Sequence, residues 1–296
     1  MTIFIADIAS YQHGLSLGAL RPDCAGVFAK ATQGTSYVNP DYAGWRATSG
    51  ELLFGAYHYD TMEDPAAQAA HIAANIENKA IPLMFDVEKG SGDVNQTIAV
   101  ARAAKSAGLN PRLVYLPRWY WQSLGSPDLR SLTALGLGLI SSEYPTTRDG
   151  SPVRLYPGDA ADGWSPYGGA TPVLYQFTDA ADEGGQRIDM NAYRGDPGQL
   201  RVLLGLAAPA QNYPPFPGVS LELRTPYMTG SEVRVWQSRM KARGWAITVD
   251  GSYGPQSQGV CKAFQKDSTD HNWPLAQDGI VGPRTWAASW ARPVSR

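Results

Sequence analysis

The alternation of short apolar runs with amphipathic stretches, over the first two hundred or so residues, restricts this chain more than any other feature. Strand-like runs fall at residues 3–8, 26–31, 53–59, 81–87, 112–116, 136–141 and 172–177. Residues 65–78 and 95–107, lying between such runs, carry apolar side chains at helical spacing. Strand-helix-strand repetition calls for parallel strands joined by crossover helices. Over about 200 residues a closed α/β barrel of the TIM type is the economical arrangement. From Leu137 on convincing helices no longer separate the strands, so the barrel is expected to be irregular.

The texture changes after that. Ala207-Ala208-Pro209-Ala210-Gln211-Asn212-Tyr213-Pro214-Pro215-Phe216-Pro217-Gly218 is too proline-rich for a helix or a central strand and reads as a semi-rigid linker. We therefore divide the chain into a barrel (1–206), a linker (207–221) and a small three-helix domain (222–296). In the last of these, Val233, Trp236 and Met240 share one helical face, with Ser231 as its expected N-cap. A second helix should include Val260, Phe264 and Gln265, and a third residues 285–290. Asp250-Gly251-Ser252-Tyr253-Gly254-Pro255 recurs as Asp278-Gly279-Ile280-Val281-Gly282-Pro283. Each copy reads as a tight turn whose glycine permits positive φ and whose proline opens a helix.

Hydrophobic residues at 43% and charged residues at 18% suit a packed chain rather than a disordered one. The net charge of -2 conceals an asymmetry: ten basic and six acidic residues from Glu222 on, against 15 and 21 before it. A basic tail domain is drawn to an anionic polymer, and a bacterial wall qualifies as well as nucleic acid; a merely solvated surface explains the same bias. Cys24 and Cys261 lie far apart and read as reduced, partly buried thiols. No apolar run is long enough to span a membrane, and Thr2-Ile3-Phe4-Ile5-Ala6-Asp7 reads as a strand rather than a leader. Synthesis in the cytoplasm is the expectation, with export by another route. None of His13, His58, His71 and His271 belongs to a zinc-type array, and no phosphate-cradling glycine loop occurs, so no metal or cofactor is expected. Gly14-Leu15-Ser16-Leu17-Gly18 fits the serine-hydrolase elbow pattern, but residues 9–13 separate it from the strand and Leu20-Arg21-Pro22 stops any helix. We read it as a turn.

Chemistry concentrates at Phe85-Asp86-Val87-Glu88. Side chains two apart on a strand share a face, so Asp86 and Glu88 should point together into the mouth of the barrel. Asp7 ends the first strand on the face of Ile3 and Ile5, and Asp189 lies in Arg187-Ile188-Asp189-Met190-Asn191. Crowded carboxyls in a partly dry cleft hold one proton near neutral pH as a general acid, while an ionised neighbour stabilises positive charge at an anomeric carbon. The same pair also suits loop capping or an ion pair with Lys89.

Asp7-Ile8-Ala9-Ser10-Tyr11-Gln12, Lys30-Ala31-Thr32-Gln33-Gly34, Gly55-Ala56-Tyr57-His58-Tyr59, the Asp86-Val87-Glu88 segment and Asp189-Met190-Asn191-Ala192-Tyr193 occur in the order of glycoside hydrolase family 25, the Chalaropsis-type lysozymes. The chain resembles that family from Thr2 to about Leu204. The resemblance implies an irregular α/β barrel that cuts the β-1,4 link from N-acetylmuramic acid to N-acetylglucosamine. It implies that Glu88 is the general acid and that Asp86 stabilises the reacting centre or orients the N-acetyl group. Asp7 and Asp189 are then the further cleft carboxylates. Gln33 departs from the family's usual glutamate, Leu139-Ile140-Ser141-Ser142-Glu143-Tyr144 retains only the tyrosine of a Trp-containing strand, and Leu174-Tyr175-Gln176-Phe177 replaces Trp-Gln-Tyr.

Lys30 and the aromatics Tyr57, Tyr59, Tyr115, Trp119 and Tyr175 are candidates for the sugar-binding surface, since rings stack on sugar C–H faces; packing is the alternative for each aromatic. His58 could bond in the cleft or serve the structure. Residues 229–288 resemble the three-helix peptidoglycan-binding domain of wall hydrolases, with Tyr253, Trp273 and Trp286 as candidate wall contacts; the repeat could equally be only a folding device. The expected partner is bacterial peptidoglycan, with no nucleic acid and no membrane insertion. A phage endolysin acting through a holin fits this plan, as does a bacterial autolysin. A silent wall-binding barrel or a chitin hydrolase fits less well.

Overall fold

The computed structural model describes residues 2–20, 24–50, 52–145, 148–206, 214–270 and 275–292. The chain forms two compact units, Thr2–Pro209 and Ala210–Arg296.

In the first unit eight strands close a barrel: β1 (Thr2–Ile8), β2 (Cys24–Gln33), β3 (Leu53–Tyr59), β4 (Pro82–Asp86), β5 (Asn110–Tyr115), β6 (Gly138–Ser142), β7 (Pro172–Glu183) and β8 (Gln186–Arg194). From β1 to β7 consecutive strands pair in parallel. β8 then runs antiparallel to both β7 and β1 and closes the ring. A two-residue turn at Gly184-Gly185 joins β7 to β8, leaving no room for a crossover helix. The expected irregularity is therefore a hairpin. The whole of β8 was missing from the strand pattern because Arg187, Asp189 and Asn191 break its apolar run.

The helices are α1 (Tyr42–Thr48), α2 (Pro65–Asn75), α3 (Val94–Ser106), α4 (Arg118–Ser123), α5 (Arg130–Ala134), α6 (Pro152–Leu155) and α7 (Pro197–Leu203). α2 and α3 are the two that periodicity locates. Asp64 and Asp93 begin them, each side-chain oxygen accepting from the backbone N–H three residues on.

Strand parity divides the core. Phe4, Ala6, Val27, Ala29, Phe54, Phe85, Leu139 and Phe177 face outward into the layer beneath the helices. Ile5, Phe28, Met84, Leu113, Ile140 and Leu174, on the alternate face, fill the barrel and are at most 1% exposed. Gly55 belongs to this inner packing: a Cβ there would sit 2.2 Å from the Phe28 ring. That close approach is the physical content of the glycine in Gly55-Ala56-Tyr57.

The second unit holds α8 (Ser231–Ala242), α9 (Pro255–Asp270) and α10 (Pro283–Ala291). Val233, Trp236, Met240, Cys261, Phe264 and Trp286 make its core. Gly230, not Ser231, is the N-cap of α8, and Ser231 is already helical. Neither cysteine forms a disulfide and both are buried, with Cys24 Sγ donating to Gly26 O at 3.2 Å.

The repeat at 250–255 and 278–283 has a mechanical explanation. Gln237 accepts from Gly251 N (2.7 Å) and donates to Asp250 Oδ1 (2.8 Å) and Ser252 O (3.0 Å). Gln265 makes the same set with Gly279 N, Asp278 Oδ1 and Ile280 O at 2.8, 2.9 and 3.0 Å. Each turn is latched by a buried glutamine thirteen residues before its aspartate. The glycine takes a φ of 77° in one copy and 75° in the other, left-handed values that favour glycine. The repeat is a folding device, used twice.

Candidate active site

The four carboxyls meet at one end of the barrel. Asp7 lies opposite Asp189 in the β1–β8 register, and Asp86 stands between Tyr59 of β3 and Tyr115 of β5. The ladder continues past β4, since Val87 N donates to Tyr115 O at 2.9 Å. Val87 thus turns outward into the helix layer, and Asp86 and Glu88 turn inward together. The two carboxyls act on each other directly, the charge of Glu88 raising Asp86. A tight turn holds Glu88 in place: its N–H donates to Ser91 Oγ at 3.0 Å, while Ser91 N–H donates back to Glu88 O at 2.9 Å.

Burial pushes all four acids above the ordinary carboxylate range, and mutual repulsion adds to it at three of them. Asp7 is raised well above its usual value by burial, then by Asp189, Asp86 and Glu88. Asp86 is raised well above its own by burial and by Glu88, against the pull of Lys30. Glu88 is raised by burial, opposed by its bond to Asp86 and by Lys30. Asp189 is pushed up to about 7 by burial, then Asp179 and Glu88. Such a site keeps several protons near neutrality.

Lys30 faces Asp7, Asp86 and Glu88, and Arg187 acts on Asp189 from β8. The Lys30 Nζ donates to Gln33 Oε1 at 2.8 Å and lies over the rings of Tyr59 and Tyr37 at 4.8 and 5.4 Å. At position 33 the amide thus serves as an acceptor for the lysine and adds no charge. Tyr57 is 7% exposed and feels all four carboxyls. Tyr59 donates to Lys89 O at 2.8 Å, bracing the turn that carries Glu88. Tyr115 lies beside Asp86. Trp119 is 52% exposed on α4, which follows the same end of β5, and its ring meets Tyr120 edge-on.

Tyr175 is a correction. It faces outward, 1% exposed, packs against Trp164 and donates to Glu143 O at 2.8 Å. The cleft residue of this strand is Gln176, on the parity of Leu174. Its Nε2 reaches Asp7 Oδ2 at 3.5 Å, and Tyr144 donates to its Oε1 at 2.5 Å. Asn191 also bonds Asp7. Strict alternation from Leu174 would have selected Gln176; the attraction of an aromatic for sugar outweighed it.

Tyr253 and Trp286 are also corrections. They are 0% and 2% exposed in the core of the second unit, with Tyr253 donating to Gly279 O and Trp286 to Pro214 O. Neither presents a ring to a polymer. Trp273 and His271 lie outside the described residues, as do residues 207–213 of the linker. The second unit does carry an open groove of about 880 Å³ along α8, lined in part by Thr229, Ser231, Arg234, Val235, Ser238 and Trp290.

The remaining motifs resolve structurally. Residues 14–16 lie between one-turn 3₁₀ segments, Ser10–Gln12 and Leu17–Ala19, and Leu17 and Gly18 begin the second, so no strand leads into Ser16 and no nucleophile elbow exists there. His58 faces the helix layer, bonded to Thr32 Oγ1 at 2.8 Å and Gln68 Oε1 at 3.0 Å. Among the described residues no group of three or more His, Cys, Asp or Glu is placed to hold a metal ion, and no helix is long and apolar enough to cross a membrane.

Asp60 is a buried acid behind the site: its N–H donates to Asp86 O at 3.0 Å, and its carboxyl is enclosed near Thr97, Thr61 and Gln68. Burial pushes it up to about 7. A raised acid contributes its stability in full below its unfolded value, about 3.9, and loses it as pH rises to the folded value. His58 has the opposite slope. Burial lowers it to about 4, so its stability is present above 6.5 and lost as pH falls. Asp60→Asn should therefore gain in melting temperature over the parent as pH rises from 4 to 7, with the gain levelling off above that. Parallel melting curves across that window would show that Asp60 titrates normally.

The chain's relationships agree with this geometry. Residues 6–152 match the family model of glycosyl hydrolases family 25, and residues 229–288 match that of a putative peptidoglycan binding domain. The first match includes Asp7, Asp86 and Glu88 and ends before Asp189. No curated protein sequence matches the chain. Among solved structures, the chain is similar to the bacterial lysozyme of Streptomyces coelicolor, with 19% identity, 70% of this chain and 97% of that one covered, and a TM-score of 0.54. It is similar to a muramidase from Trichobolus zukalii at 23% identity, covering 68% and 98%, with a TM-score of 0.54. The catalytic domain of a Listeria monocytogenes bacteriophage endolysin aligns at 17% identity over 69% and 98%, with a TM-score of 0.50. At these identities the likeness establishes the barrel fold.

Proposed function

We propose that the chain, whose residues 6–152 match glycosyl hydrolases family 25 and whose residues 229–288 match a putative peptidoglycan binding domain, is a glycoside hydrolase acting on peptidoglycan that cuts the β-1,4 link from N-acetylmuramic acid to N-acetylglucosamine. The observation that carries this reading is the convergence of Asp86 and Glu88 on one inward face at the barrel mouth, with Asp7 opposite Asp189 in the neighbouring strands. In this mechanism Glu88 passes its proton to the glycosidic oxygen as the bond to the anomeric carbon breaks. Ionised carboxylates stabilise the positive charge that develops there. Water then adds at that carbon, and its proton returns to Glu88.

A displacing nucleophile needs its carboxyl about 5–5.5 Å from the acid, across the sugar. Asp86 instead stands beside Glu88 on the same inward face, which suits a residue that orients the N-acetyl group. Mass spectrometry of digested walls tests the bond: muramic acid at the new reducing ends supports the reading, and glucosamine there would refute it.

Wall adhesion falls to the groove along α8 in place of the two buried aromatics. Val235, 38% exposed in that groove, can be replaced without disturbing the core. Val235→Glu should weaken sedimentation with purified walls severalfold while cleavage of soluble glycan fragments stays at the parent rate. Unchanged sedimentation would exclude the groove.

The two-domain plan fits lysis of a host from within, after accumulation in its cytoplasm and release through a holin. Cells expressing the chain should lyse when a membrane pore is co-expressed and persist without one. Lysis without the pore would favour an exported autolysin.

A further inference from the structure

We propose that Tyr144 is a positioning residue for the glycosidic reaction, acting through the Gln176 side chain to set the face that Asp7 meets. The inference rests on the reading of Asp7 as a cleft carboxylate, and goes beyond it.

Tyr144 follows β6, and its hydroxyl donates to Gln176 Oε1 at 2.5 Å. Gln176 is 3% exposed on β7, and its Nε2 points to Asp7 Oδ2 at 3.5 Å. A carboxamide has two unlike ends, and half a turn exchanges them. With a phenol donating to the oxygen, the NH₂ end is left facing Asp7. Tyr115 and Ser142 lie close to the Tyr144 hydroxyl. A directed chain thus runs from Tyr144, past the end of β6, through Gln176 on β7 to Asp7 on β1.

The consequence is electrostatic. Asp7 faces Asp189 from β8, Asp86 and Glu88 from β4 and its extension, and Tyr57 from β3; Lys30 from β2 is the opposing cation. Burial and three like charges favour its protonated form. Donors at Asp7, from Asn191 and Gln176, favour the ionised form. Without the Tyr144 hydroxyl the amide is free to turn its carbonyl towards Asp7. That end accepts a proton's bond and repels a carboxylate.

Tyr144→Phe keeps the ring, which is 40% exposed and available to a sugar, and removes only the hydroxyl. The Asp7 carboxyl, followed by ¹³C NMR, should titrate about one pH unit higher in this variant, the size of one hydrogen bond to the charged form. On soluble glycan fragments kcat should fall about tenfold with KM within about twofold, and the acid limb of kcat/KM should move up with Asp7. Gln176→Leu should reproduce both changes, and the double variant should be no worse than either single one.

An unmoved Asp7 titration, a rise in KM alone, or effects that multiply in the double variant would each overturn the proposal. Asp7→Asn separates it from the reading beneath it. Full activity in Asp7→Asn removes Asp7 from the mechanism, whereas a dead Asp7→Asn beside a normal Tyr144→Phe overturns only the role of Tyr144.

Discussion

Glu88→Gln should lower kcat by roughly 10²–10⁴-fold, the range for losing a general acid, while the protein stays folded and still sediments with walls. Glutamine matches the shape of Glu88 and keeps the backbone turn through Ser91, which involves no side-chain carboxyl. It has no proton to give to a leaving oxygen. The change also removes one repulsive partner from Asp7, Asp86 and Asp189, each of which Glu88 pushes upward. Their titrations should therefore move down, and the melting temperature near neutral pH should hold or rise. Release of reducing ends from purified walls, measured beside a melting curve, separates lost chemistry from lost structure. Turnover at the parent rate in this variant would take Glu88 out of the reaction.

Trp236→Ala should unfold the C-terminal unit. Trp236 is fully buried, its ring lies against Tyr253 at 5.6 Å, and its Nε1 donates to Ser289 Oγ at 3.1 Å, tying α8 to α10. Removing such a side chain costs about 3–5 kcal/mol. A core in a domain of this size rarely supplies more than about 3–5 kcal/mol in total. The barrel has its own core and should be untouched. Expected are loss of one calorimetric transition, loss of sedimentation with walls, and unchanged cleavage of soluble fragments. Retention of the transition and of wall binding would mean that the core tolerates the cavity.

Particular residues show why some of this was legible and some was not. Asp86 and Glu88 could be placed on one inward face because strand parity needs only two residues and a hydrophobic run to set its phase. The same rule, applied from Leu174, points to Gln176, but chemical preference for a ring selected Tyr175. β8 stayed hidden because its inward positions, Asp189 and Asn191, belong to the polar mouth, so a functional strand lacks the apolar pattern of a structural one. Tyr253 and Trp286 looked like wall contacts because sequence reports aromatic character and not which side of a helix or turn the core lies on.

By itself the sequence determined the barrel, the helical tail domain, the Asp86–Glu88 pair and the paired turns, since each depends on spacing along the chain and short-range geometry, while Asp7 and Asp189 were assigned by the resemblance of their motifs. Only the tertiary structure decided that β8 closes the barrel as a hairpin, that Tyr144 and Gln176 reach Asp7, and that two buried glutamines latch the turns. Those contacts join residues tens to more than a hundred positions apart or depend on which face is enclosed, as with Gln176 and Asp7 or Gln237 and Asp250. Periodicity carries no information about pairs of that kind; closure of the ring and packing of the core do.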